Sequence, residues 1–111
     1  MNIRDILASD GVPAYVSGSF TEGERHPDPI WIYTNMDTEN VYVDDFIKAE
    51  ILHYTVAYYT TNPENIREIV KAKVKELLKT SQFLCGGIVD IKTKDPDLHG
   101  VGFECQQLQP F

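Results

Sequence analysis

The chain has 111 residues, of which 42% are hydrophobic and 24% charged, and a formal net charge of −7. That length holds one domain with one modest core, and the composition argues against a disordered chain. Residues 1–60 carry ten Asp or Glu against three Lys or Arg, while residues 61–111 carry seven of each, which argues against sequence-independent nucleic-acid binding by the domain as a whole.

No apolar run approaches the ~20 residues that cross a bilayer as a helix. The start, Met1-Asn2-Ile3-Arg4-Asp5, lacks the basic-then-apolar pattern of a signal peptide, so the cytoplasm is the expected compartment. Ile3, Ile6 and Leu7 recur at helical spacing after an Asn2 cap, and Asp10-Gly11 is a stop signal, which predicts a short N-terminal helix. After Pro13, residues 14–20 read as a strand weakened by Gly18. Residues 21–29 hold Gly23, Pro27 and Pro29 among charges and read as a loop. Pro29-Ile30-Trp31-Ile32-Tyr33-Thr34 is rich in aromatic and branched residues and reads as a second strand. Residues 35–40 are polar and turn-prone.

Residues 46–60 form the expected central strand. Leu52, Tyr54, Val56 and Tyr58 share its more apolar face, which is assigned to the core. Ile51, His53, Thr55, Ala57 and Tyr59 share a mixed face, either solvated or meeting another subunit. Thr61-Asn62-Pro63-Glu64 is a strong helix start, with Asn62 as cap and Pro63 at the first helical position. Ile66, Ile69, Val70, Val74, Leu77 and Leu78 then make one apolar stripe, the natural partner of the Tyr54, Val56 and Tyr58 face. Residues 88–93 alternate as a strand, residues 94–100 are a turn, and residues 101–108 return as the closing strand of a hairpin. The expectation is a single α+β domain over residues 1–111. Its mixed, mainly antiparallel sheet has about five strands, with one long amphipathic helix on one face and a short N-terminal helix.

The residues that carry chemistry elsewhere read as structural here. Cys85 and Cys105 are too few for a disulfide scaffold and form no C-x-x-C pair. In a reducing cytoplasm they read as two buried thiols packed as small hydrophobes, with a cross-strand disulfide as the alternative. Asp44-Asp45 sits in a turn whose adjacent side chains point apart, with no further metal ligand at a diagnostic spacing. His26-x-Asp28 lies in a proline-flanked loop without a ligand set. His53 is alone in a strand, and His99 falls in a turn, where it is most simply exposed. Nucleotide-binding and nucleophile-elbow motifs are absent, and Gly86-Gly87 precedes a strand rather than a helix. The expectation is no catalytic residue, no metal and no cofactor: not an enzyme. A basic face of the long helix, with five basic residues against three acidic over residues 64–79, reads as solvated or as docking on an acidic partner.

The segments Pro29-Ile30-Trp31-Ile32-Tyr33-Thr34, Tyr42-Val43-Asp44-Asp45 and Tyr54-Thr55-Val56-Ala57-Tyr58-Tyr59-Thr60 carry a resemblance, together with Leu98-His99-Gly100-Val101-Gly102-Phe103. Over residues 12–108 the chain resembles the tail-completion proteins of long-tailed bacteriophages and prophages, also called tail terminators or minor capsid proteins. It departs from their pattern at Val43, where alanine is commoner. The resemblance implies a structural virion protein that caps the head-proximal end of the tail tube and joins tail to head. It implies a homo-oligomeric ring, typically a hexamer, with the tail-tube protein and the head connector as partners. Such a ring sits at the head–tail junction of the virion, after assembly in the host cytoplasm. DNA passes through it without specific binding, and no membrane is involved. The segments expected to make ring or partner contacts are the turn with Tyr42, Asp44 and Asp45 and the hairpin tip with Asp95, Asp97 and His99. The alternative reading is a small non-enzymatic binding or regulatory module acting as a monomer or dimer.

Overall fold

The computed structural model describes residues 2–18, 27–80 and 82–110. The chain opens with helix α1, Ile3–Leu7, whose first turn is capped by Asn2, the side chain accepting from the Arg4 N–H at 2.9 Å. A 3-10 turn, Ala8–Asp10, follows and ends at Gly11, where a φ of 91° suits a residue without Cβ. Strand β1, Ala14–Val16, is shorter than the expected 14–20. Ser17 and Gly18 form a turn, Gly18 at a φ of 89°, while residues 19–20 and most of the expected loop lie outside the described residues.

Strand β2 is Ile30–Val43 and strand β3 is Phe46–Thr60. The polar residues 35–40 are therefore strand, not turn. They lack any period-two apolar pattern because both of their faces are wet. What extends them is pairing with β3, continuous but for register shifts at 35/37 and 41/42. Helix α2, Ile66–Lys79, begins later than the Asn62-Pro63 signal indicates. The Asn62 side chain accepts from the Glu64 N–H at 3.0 Å and so caps a preceding turn, and Asn65, at φ 59°, leads into the helix. Three short or late strands complete the sheet: β4, Phe83–Cys85; β5, Val89–Ile91; and β6, His99–Pro110. The sequence pattern had no separate place for β4, so among the described residues the sheet has six strands rather than about five.

Strand order is β1-β2-β3-β6-β4, with β5 also on β6, and every pairing is antiparallel except β1 with β2. The fold is mixed α+β. Tyr58 pairs with Trp31 and Val101, Val56 with Tyr33 and Phe103, and Tyr54 with Asn35 and Cys105, so these side chains share one face of the sheet. Trp31, Val56, Tyr58, Phe83, Val101, Phe103 and Cys105 bury that face against Ile3, Ile6 and Leu7 of α1 and Val70 and Leu77 of α2. Tyr54, Ile66, Ile69 and Val74 are half-buried against the same cluster. Leu78, at the margin of the apolar stripe, is exposed instead. The Trp31 and Tyr58 rings meet at 4.7 Å with their planes tilted by 56°. Each buried aliphatic or aromatic side chain of this layer stabilises the fold by about 1.5–3 kcal/mol before the entropy of ordering it.

On the opposite face, Tyr59 and Ile91 lie across Gly100 and Gly102. A Cβ on Gly102 would stand 2.7 Å from the Val56 carbonyl oxygen and 2.7 Å from Ile91 Cδ1.

Helix α2 also buries a lysine that the apolar stripe did not reveal. Lys73 is 2% exposed. Its Nζ donates to the Ile6 carbonyl at 2.9 Å, to Ser9 Oγ at 3.2 Å and to Glu76 Oε2 at 3.0 Å, with Asp10 Oδ2 at 3.6 Å. The ammonium thus closes the C-terminus of α1, whose last carbonyls lack intrahelical partners. Ser9 Oγ donates to Glu76 Oε1 at 2.7 Å, and this bond, ahead of Lys73 itself, holds the Glu76 carboxyl below its ordinary range.

Candidate interaction surface

The β2–β3 hairpin outruns the rest of the sheet. Among the described residues, β1 pairs with β2 only as far as Tyr33 and β6 pairs with β3 only from Ala49 onward, so residues 41–48 form a two-stranded tip. At its end Asp44 and Asp45 are the two central turn residues, both left-handed, with φ of 52° and 67°. Two positive φ values in a two-residue loop match the right-handed twist of the flanking strands, and Asp tolerates the left-handed region better than most residues. Both carboxylates are exposed.

Around this acidic turn the chain presents apolar side chains to water. Tyr42 is 60% exposed, Phe46 68% and Val43 50%. The Lys48 ammonium lies 5.9 Å from the Phe46 ring centroid, within cation–π range. Isolated two-stranded hairpins are marginally stable in water, so a tip that exposes this much apolar surface has little to hold it within a single chain.

The second expected contact segment sits elsewhere. Asp95 and Asp97 are exposed in the turn before β6, where Asp95 Oδ1 accepts from the Asp97 N–H at 2.9 Å. Thr93 Oγ1 tightens this loop by sharing its one hydroxyl proton between the Asp95 and Leu98 carbonyls, at 2.6 and 2.7 Å. His99, expected in the turn and exposed, instead opens β6 opposite Thr60 and is half-buried. Since Thr60 ends β3 and Phe46 begins it, the two segments lie at opposite ends of that strand. Fifteen residues of strand reach about 50 Å at 3.3 Å each. The molecule's longest extent is 52 Å, against 28 and 22 Å across. The structure therefore does not bring Tyr42, Asp44 and Asp45 together with Asp95, Asp97 and His99.

His53 and Asp28, the other candidates in the sequence, have structural partners. His53 Nε2 lies 2.7 Å from Glu39 Oε1 across the strand pair, and Arg67 meets Asp90 at 2.7 Å. The Asp28 carboxylate accepts from the Thr61 N–H at 3.2 Å and from its hydroxyl, while His26 lies outside the described residues. Burial raises the Tyr54, Tyr58 and Tyr59 phenols above their ordinary range. Among the described residues no group of three or more His, Cys, Asp or Glu side chains is placed to hold a metal ion. No helix among them is long and apolar enough to cross a membrane. The sequence reading missed Val43 and Phe46 as surface residues. Their branched and aromatic character is what a core strand would show, and only the overhang of the hairpin places them in water.

No protein-family model matches the chain, and no curated protein matches it.

Proposed function

We propose that the chain is a structural phage protein that caps the head-proximal end of a tail tube and joins the tail to the head connector. In this reading it acts as the hexameric ring that the resemblance implies, and catalysis has no part in its role. The observation that carries the reading is the overhanging hairpin tip. An acidic two-residue turn framed by Tyr42, Val43 and Phe46 leaves apolar surface uncovered at one end of an elongated domain. A second exposed acidic turn, with Asp95 and Asp97, stands about 50 Å away at the other end.

A joint between two different assemblies needs two separated contact regions, and shape serves it better than a nucleophile. An acidic N-terminal half is also compatible with DNA passing through a ring without being held, because like charge repels the phosphate backbone.

The test is charge reversal, Asp44→Lys with Asp45→Lys, alongside Tyr42→Ser with Phe46→Ser. Ring formation is followed by size-exclusion chromatography with light scattering, and tail joining by complementation of a phage deleted for the gene. Loss of either function with the fold intact supports the reading. If both survive unchanged in both double variants, the tip has no interface role. A wild-type chain that stays monomeric or dimeric, even with its tube protein present, favours a small binding module instead.

A further inference from the structure

The edge of the sheet beside β6 is one strand path broken by a bulge. Cys85 pairs with Cys105, Gly86 N–H donates to the Glu104 carbonyl at 2.7 Å, and the pairing resumes one residue out of step at Val89 and Gly102. At the other end of β4 the Leu108 N–H donates to the Gln82 carbonyl at 2.8 Å. Ladder hydrogen bonds in an antiparallel pair fall on alternate residues, here at 82/108, 84/106 and 86/104. Cys85 and Cys105 thus occupy a non-hydrogen-bonded site, where facing Cα atoms approach to about 4.5 Å and both side chains stand on one face. That separation lies at the close end of the range a disulfide spans.

We propose that Cys85 and Cys105 are an oxidisable pair, a modification site at which a low-molecular-weight disulfide of the glutathione class is exchanged for an intramolecular cross-strand disulfide.

The two thiols are free in this structure and differ in their surroundings. Cys105 is 2% exposed, whereas Cys85 is only partly buried. β4 is the edge strand beside β6 and Cys85 is partly exposed there, so a reagent approaches Cys85 from that edge without unfolding the sheet. The buried Cys105 thiol donates its hydrogen bond to Cys85, which lowers the Cys85 thiol and, together with burial, raises Cys105. Cys85 is accordingly the attacking thiol and Cys105 the resolving one.

Cys85 loses its proton to solvent, and its sulfur attacks one sulfur of the reagent. A mixed disulfide forms, and one reagent thiolate leaves and takes up a proton. Cys105 then loses its proton and its sulfur attacks the Cys85 sulfur, expelling the second reagent thiolate, which is protonated in turn. Two protein thiols are oxidised to one disulfide, and one reagent disulfide is reduced to two thiols.

The bond would clamp β4, a three-residue strand, to the longer β6. Phe83 of β4 is core, so the clamp also fixes the floor on which α2 rests. The site depends only on the β4–β6 register and stands whether or not the chain belongs to a tail.

The experiment treats the native full chain with oxidised glutathione and follows intact mass, peptide mapping and thermal unfolding. Wild type is expected to lose two hydrogens and to yield a peptide linking Cys85 to Cys105. Its midpoint should rise by about 14 °C, as expected for closure of a loop of this size in a domain near 100 residues. Cys105→Ala should stop at one glutathione on Cys85, and Cys85→Ser should leave Cys105 unreacted. Wild type that stops as the mixed disulfide, links only between chains or stays unmodified overturns the proposal. If Cys105→Ala fails to fold, the wild-type peptide map and the Cys85→Ser variant decide it.

Discussion

Replacing Lys73 by methionine keeps most of the side-chain volume and removes the charge. In the wild type the ammonium spends three donors on the Ile6 carbonyl, Ser9 Oγ and Glu76 Oε2. A hydrogen bond to a charged group contributes about 1.5–3 kcal/mol, and the full loss of a buried pair reaches about 3–5 kcal/mol when the surviving charge stays buried. Here the survivors are milder. Glu76 and Asp10 are roughly half exposed and rehydrate, and the one hydroxyl proton of Ser9, 2.8 Å from the Ile6 carbonyl, turns to that carbonyl once Glu76 is hydrated. Relief from desolvating an ammonium offsets part of the loss, leaving an expected cost of about 1–2 kcal/mol for Lys73→Met. Lys73→Ala also opens the space of the aliphatic stem and should cost about 3 kcal/mol. Urea unfolding, with the midpoint and slope fitted for each variant, measures both. A Lys73→Met protein as stable as wild type, or more stable, would refute the view that this lysine ties α1 to α2.

The same cluster predicts a pH effect. Because the folded Glu76 carboxyl lies below its ordinary value of 4.5, its contribution is present above that pH and is lost as pH falls through the folded value. Because the Ser9 hydroxyl and then the Lys73 hydrogen bond and charge lower this carboxyl, Ser9→Ala and Lys73→Met should each weaken the stability change below pH 4.5, read from unfolding midpoints between pH 7 and 3. Gly102→Ala should destabilise by more than about 2 kcal/mol, because its Cβ meets the Val56 backbone oxygen and only backbone movement relieves the contact; thermal unfolding at wild-type level would contradict this. Phe103→Ala, at a position 2% exposed in the central layer, should cost about 3–5 kcal/mol by denaturant titration. Asp44→Asn with Asp45→Gly places residues better suited to two positive φ values and should slow amide exchange across the hairpin tip; unchanged exchange would contradict the turn assignment.

Much of the fold was legible because its layers are periodic. Leu52, Tyr54, Val56 and Tyr58 alternate, and Ile66, Ile69, Val70, Val74 and Leu77 step by three and four, so the sheet face and the helix face announced each other. Caps and stops at Asn2 and Gly11 were equally local. The errors fell where structure is imposed from a distance. Residues 35–43 are strand only because β3 lies beside them, and β4 is strand only because β6 offers an edge to three residues. Asn62 misplaced the helix start because an Asn side chain caps a turn as readily as a helix. Lys73 looked like one more solvated lysine, since nothing local tells that the end of α1 covers it.

The candidate surface was legible in part. The acidic turn at Asp44-Asp45 followed from composition, but its overhang, and with it the exposure of Val43 and Phe46, depends on where β1 and β6 stop. His99 was misjudged because strand β6 begins there, earlier than the glycine after it suggested.

The most direct measurement is the mass, by native mass spectrometry, of the particle that purified chain forms when added to assembling tail-tube protein from its own genome. A closed ring of six copies bound at one end of tubes that then stop growing is the expected result. Tubes that lengthen unchecked, with this chain remaining free as a monomer or dimer, would contradict the proposed role.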